Sequence, residues 1–145
     1  DSLYKASMAG VSVDVLVRGM CALKPGVPGL SETIKVHSVL GRYLEHSRVF
    51  SFAAGGDPEI FIGSADMMHR NLDRRVEALV RIAQPDHIKE LQDLFTLAMS
   101  DSSSSWHLEQ DGSWTRHQFD ENGKKLTDVQ DELMRFVSSR KASTK

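Results

Sequence analysis

The sequence predicts a single α/β domain over residues 1–145. Three observations carry that expectation. A β-branched run follows a helix-ending glycine near the N-terminus, a hairpin pattern occupies the middle, and two helices with one-sided apolar stripes fill the second half.

Leu3, Ala6, Ser7 and Gly10 stand at helical spacing, and Gly10 is a natural stop. Val11-Ser12-Val13-Asp14-Val15-Leu16-Val17 follows, short and dense in β-branched residues, as a largely buried strand is. Helix, glycine and strand make half of a βαβ unit, which predicts a further strand upstream. The missing initiator Met points to a fragment of a longer protein. Lys24 to Gly29 reads as a rigid turn, and Ile34 to Leu40 as a second strand. Val49-Phe50-Ser51-Phe52 and Glu59-Ile60-Phe61-Ile62, joined by Ala54-Gly55-Gly56-Asp57-Pro58, form a hairpin. Val76 to Ile82 is a further strand.

Pro85 opens a helix with Ile88, Leu91, Leu94, Phe95 and Ala98 on one face and Asp86 near its positive end. Trp106 to Phe119, centred on Asp111-Gly112, resembles a second hairpin. In the last helix Thr127 and Gln130 fit a capping box, and Val129, Leu133, Phe136 and Val137 make the buried stripe. Residues 138–145 read as a flexible basic tail.

Composition narrows the function classes. Lys+Arg 18 against Asp+Glu 20 gives a net charge of -2, which argues against a nucleic-acid coat and a polyacidic tail. No run reaches the ~18 apolar residues of a membrane span. The single cysteine, Cys21, forms no intrachain disulfide and reads as a packed thiol. His37, His87, His107 and His117 lack metal-ligand spacing, and the two Trp residues read as packing groups.

The informative cluster is His46-Ser47-Arg48, followed after the hairpin by Gly63-Ser64-Ala65-Asp66. Residues two apart on an extended segment point the same way, so an imidazole and a guanidinium share one side. That pair suits a phosphoryl group, which needs a proton shuttle or nucleophile and a fixed positive charge. Asp66 is expected to orient the imidazole. Arg18, just past the first strand, stands where open parallel sheets gather ligands. His69-Arg70 and Arg74-Arg75 add a third basic group. A lone His-x-Arg, or a lone basic cluster, is more often a solvated surface.

Several ordered motifs resemble a known family. Val17-Arg18-Gly19-Met20, Pro25-Gly26-Val27-Pro28-Gly29-Leu30-Ser31-Glu32 and Gly41-Arg42-Tyr43-Leu44-Glu45-His46-Ser47-Arg48 look like the last domain of the polyphosphate kinases that make long-chain polyphosphate from ATP. Gly63-Ser64-Ala65-Asp66 and His69-Arg70-Asn71-Leu72-Asp73-Arg74-Arg75 continue the match in order. The likeness is close over residues 3–82 and looser to residue 118.

The resemblance implies a phospholipase D-like mixed sheet flanked by helices, and a carboxy-terminal catalytic domain. The implied reaction is ATP + polyphosphate(n) ⇌ ADP + polyphosphate(n+1), through a phosphohistidine in an upstream domain. Arg18 and His46 match the two positions that contact the nucleotide's phosphates, and His46 is the implied acid/base partner. Arg48 fills the place of the lysine in the phospholipase-type His-x-Lys pattern, and Ser64 falls in its Gly-Ser segment. Arg48, Ser64 and Arg70 are the further phosphate-binding candidates. Met67 stands where the family carries a Trp, and the phosphohistidine, the magnesium-associated positions and the adenine-binding region have no counterpart here. Mg2+ is therefore expected with ATP, on ligands outside this chain.

Implied partners are ATP, ADP, polyphosphate, the upstream domains and a second copy at full length, with no nucleic acid. The implied location is cytoplasmic, or peripheral at the inner membrane face. The isolated chain is expected to be inactive. The alternatives are a phospholipase D-like phosphodiesterase domain and a non-catalytic polyanion-binding module.

Overall fold

The computed structural model describes residues 1–143. The elements are, in order, α1 (Ser2–Met8), β1 (Val13–Leu16), β2 (Ile34–Ser38), β3 (Val49–Phe52), β4 (Glu59–Gly63) and α2 (His69–Leu72). β5 (Leu79–Ile82), α3 (Pro85–Met99), β6 (Ser105–Leu108), β7 (Trp114–His117) and α4 (Val129–Ser143) complete the chain. The mixed α/β class holds, with the strands divided between two sheets. Two compact units carry them: Asp1–Glu45 with Leu97–Lys145, and His46–Thr96.

In the first unit the sheet order is β1-β2-β6-β7. β1 and β2 run parallel with Val13 opposite Ile34, and β2 and β6 run antiparallel with His37 opposite His107. β6 and β7 form the second hairpin expected from Asp111-Gly112. Ile34, Val36 and Leu108 make a buried cluster against which Tyr4, Val13, Val15, Val17, Cys21, Leu23 and Trp114 pack. The Cys21 thiol is thus a packing group. A second cluster joins Val39, Ala98 and Val129, with Leu16, Leu97 and Leu133 against it.

The turn after β1 is held from within by Ser31, which is fully buried. Its hydroxyl donates to the Lys24 carbonyl at 2.5 Å and accepts from the Val27 N–H at 3.0 Å. These bonds satisfy polar groups that would be costly to bury unpaired.

The second unit is a β3-β4-β5 antiparallel meander. The hairpin falls where the sequence places it, with Phe50 opposite Phe61. The third strand is shorter than the expected 76–82: pairing starts at Leu79, and Val76 stands in solvent. Ile60, wholly buried, is the centre of this unit.

α4 does not use the Thr127–Gln130 box. Asp128 Oδ1 accepts from the Asp131 N–H at 3.0 Å and caps the helix instead. The Gln130 side chain is engaged elsewhere. α4 continues to Ser143, so residues 138–143 of the expected tail are helical backbone, and residues 144–145 lie outside the described residues.

Candidate active site

Two parts of the molecule hold the sequence-predicted site residues. In the first unit Arg18 follows the carboxyl end of β1, where the Val17 N–H to His37 carbonyl bond at 2.9 Å prolongs the parallel pairing. A cavity of about 280 Å³ opens beside it, lined by Arg18 and the run Val39 to Glu45. This is the carboxyl end of both parallel strands, the position at which α/β sheets bind ligands. Arg42 and Tyr43 lie on the same wall, the guanidinium carbon 5.8 Å from the ring centre.

In the second unit His46 and Arg48 lead into β3, and the expectation that they share one side is met. The two terminal guanidinium nitrogens of Arg48 each lie 3.1 Å from a ring nitrogen of His46. A neutral imidazole has one acceptor nitrogen and arginine only donates, so one of these approaches is a hydrogen bond and the other a contact.

Asp66 takes a different part from the one expected. Its Oδ1 accepts from Arg48 Nε at 3.0 Å, with the two side chains only 17% and 21% exposed. The carboxylate thus holds the guanidinium, which in turn lies against the imidazole. The guanidinium carries five N–H donors, so one arginine can serve both partners at once, the carboxylate through Nε and the imidazole through a terminal nitrogen.

Ser64 is fully engaged. Its hydroxyl donates to Glu77 at 2.5 Å and accepts from the Ala78 N–H at 2.9 Å. The second Glu77 oxygen accepts from Asn71 Nδ2 at 3.0 Å, and Asn71 is 3% exposed. The hydrogen bonds from Ser64 and Asn71, with the charges of Arg75 and Arg48, hold the Glu77 carboxyl below its ordinary pKa. Arg70 stands exposed on α2, and His69 pairs with Asp73 on the surface.

Glu77 and Asn71 are the site residues that sequence reasoning missed. Glu77 falls within the strand that the sequence predicts over 76–82, where its side chain would follow the strand alternation. Asn71, a polar residue beside the apolar Leu72 in a basic stretch, was the available signal.

Three of the four histidines that lack ligand spacing, His37, His107 and His117, form a column in the first unit. His37 and His107 stack with ring centres 3.7 Å apart, and His107 and His117 at 3.9 Å. Register makes this column: His37 faces His107, and His117 faces Ser105, two residues along on the same side. Burial, then the neighbouring His37 and His117, lowers the His107 pKa to about 4. Burial also lowers that of His37. Among the described residues no group of three or more His, Cys, Asp or Glu is arranged to hold a metal ion. No helix of the described residues is long and apolar enough to cross a membrane.

The family model described as polyphosphate kinase C-terminal domain 2 matches residues 1–130. A polyphosphate kinase of Streptomyces coelicolor is 62% identical over 134 residues, covering 92% of this chain and 18% of the relative. Polyphosphate kinase 1 of Chlorobaculum tepidum is 52% identical over 114 residues, 79% of this chain and 16% of the relative. The crystal structure of polyphosphate kinase from Porphyromonas gingivalis matches with a TM-score of 0.86 at 33% identity, covering 97% of this chain and 21% of that one. The phospholipase D-like α/β class expected from the sequence agrees with that neighbour. The chain thus spans under a fifth of the length of these curated relatives.

Proposed function

The chain belongs to the polyphosphate kinase C-terminal domain family, and from that premise we propose that it supplies half of a catalytic centre for reversible phosphoryl transfer between ATP and polyphosphate. The observation that carries this reading is the held imidazole: His46 against Arg48, and Arg48 fixed by Asp66. Phosphoryl transfer asks little covalent work of the protein and much positioning and charge neutralisation.

In the forward direction a histidine of an upstream domain attacks the γ-phosphorus, and the bond from that phosphorus to the bridging oxygen of ADP breaks. A terminal oxygen of polyphosphate then displaces the histidine nitrogen, forming one new P–O bond. Arg18 binds the ATP phosphates at the carboxyl ends of the parallel strands. His46 hydrogen-bonds the leaving oxygen or gives it a proton, and takes the proton back in the reverse reaction. Arg48 holds the imidazole and faces the same anion. Ser64 and Asn71, tied to Glu77, brace the segment from which Asp66 reaches Arg48.

Mg2+ accompanies ATP in this reading. Among the described residues no group of three or more His, Cys, Asp or Glu is arranged to hold it, and this reading assigns its coordination to the phosphates and to groups elsewhere in the full-length protein. No step assigned to this chain runs through the ion.

The test uses the full-length enzyme and measures polyphosphate elongation from ATP. His46→Ala lowers the rate by about 10²–10⁴, the range for a lost general acid or base. A near-normal rate refutes the assignment. Phosphodiester hydrolysis without nucleotide identifies a phosphodiesterase instead. If Arg18→Ala and His46→Ala weaken polyphosphate binding no more than Lys124→Ala, the domain is a polyanion-binding module.

A further inference from the structure

α4 carries a residue whose side chain faces backbone that has no regular pairing. Gly41 to Glu45 is irregular, lines the Arg18 cavity, and ends one residue before His46. Such a segment has no sheet or helix partners for its peptide groups, so something else must fix it. Gln130 does so. It is 5% exposed, its Oε1 accepts from the Tyr43 N–H at 2.9 Å, and its Nε2 donates to the Tyr43 carbonyl at 2.8 Å. The same nitrogen donates to Glu45 Oε1 at 2.6 Å.

One carboxamide therefore satisfies both peptide groups of Tyr43, as a neighbouring strand would, and holds the next charged side chain. Gly41 lies so close that a Cβ there would stand 2.7 Å from Gln130 Cδ and closer still to Oε1. One turn further along α4, Met134 Sδ accepts from the Tyr43 hydroxyl at 3.4 Å. Val129 and Leu133 seat the helix in the apolar cluster with Val39, two residues before the same segment.

We infer that Gln130 is a positioning residue for the transfer reaction: its buried carboxamide fixes residues 41–45, and through them the wall of the Arg18 cavity. The inference deepens the function proposed above and rests on it. Loss of the carboxamide frees the segment while leaving the apolar seat of α4 in place. Displacements of about 1 Å at reacting groups cost up to about 10²-fold in rate.

The experiment compares Gln130→Ala, Leu133→Ala, Gln130→Glu and the exchange pair Glu45→Gln/Gln130→Glu in the full-length enzyme. It reads amide hydrogen exchange over residues 41–46, melting temperature, and kcat with KM for ATP. Gln130→Ala is expected to speed exchange at Tyr43 and lower kcat by roughly 10- to 100-fold. Leu133→Ala, which weakens only the apolar seat, lowers the melting temperature at least as far but keeps kcat within about twofold. Gln130→Glu sets two carboxylates against each other and turns an oxygen toward the Tyr43 carbonyl; Glu45→Gln beside it removes the charge repulsion but leaves that carbonyl without its donor, so the pair stays well below the wild-type rate.

Exchange that stays slow in Gln130→Ala overturns the clamp, whatever the protein's activity. Faster exchange with unchanged kcat overturns the positioning role while leaving the proposed function standing. A matching kcat loss in Leu133→Ala assigns Gln130 to stability alone, and a wild-type rate in the exchange pair shows the bonds to Tyr43 to be dispensable; either result overturns the positioning role. If His46→Ala is near normal in the same assay, the proposed function itself fails, and the positioning role fails with it.

Discussion

Acidification should destabilise the first unit through its histidine column, and the sign follows from the direction of the shifts. Burial and the flanking rings lower the His107 pKa from 6.5 to about 4, and burial lowers that of His37. Above about pH 6.5 folded and unfolded chains both hold these rings neutral, and their contribution is fully present. As pH falls below 6.5 the unfolded chain takes up protons that the folded one refuses, so stability drops until His107 titrates near pH 4.

The full gap for His107 corresponds to roughly 3 kcal/mol at 1.36 kcal/mol per pH unit. Partial exposure of the ring reduces this to about 2 kcal/mol. The charged neighbours act in both directions: Asp101, Asp14 and Glu109 favour protonation, whereas Lys35 and the ring of His117 oppose it. His37 adds to the loss, because burial lowers its pKa and the hydrogen bond with the Ala98 backbone offsets that only in part, while its buried Nδ1 has no partner. The assay is urea unfolding of the 145-residue chain at several pH values across this window, beside His107→Phe, which keeps the stack and removes one titrating group. The slope of stability against pH should flatten in the variant. A wild-type stability that is level from neutrality to about pH 4.5, or an unchanged slope in His107→Phe, refutes the reasoning.

Two further outcomes follow from single residues. Ile60→Ala empties the centre of the second unit, where the side chain is wholly buried, and should cost about 2–5 kcal/mol in urea unfolding; a loss under about 1 kcal/mol contradicts that role. Asp66→Ala leaves the mostly buried Arg48 guanidinium without its carboxylate partner and should lower transfer by the full-length enzyme about tenfold or more with a smaller change in the KM for ATP, while a change confined to KM contradicts the positioning of Arg48.

Much of the fold was legible because it is local. The hairpin over residues 49–63 and the helix from Pro85 are written in alternation, turn residues and a helical stripe. The His46–Arg48 contact was legible for the same reason, being two residues long. What escaped depends on pairings far apart in the chain. Gln130 satisfies the local rule for a capping box, yet its side chain bonds Tyr43, 87 residues away, and Asp128 caps the helix. The histidine column needs the β2-β6-β7 order, which no spacing encodes. Analogy with triads pairs Asp66 with the imidazole, whereas the guanidinium, with more donors to satisfy, takes it.

The claim that Arg18 and His46 serve one triphosphate is tested most directly by a double-mutant cycle in the full-length enzyme, with initial rates of ATP-dependent polyphosphate elongation for Arg18→Ala, His46→Ala and the pair. Groups acting on the same transferring phosphate give a double variant much less impaired than the product of the two single losses. Losses that simply multiply would show that the two residues act on separate ligands.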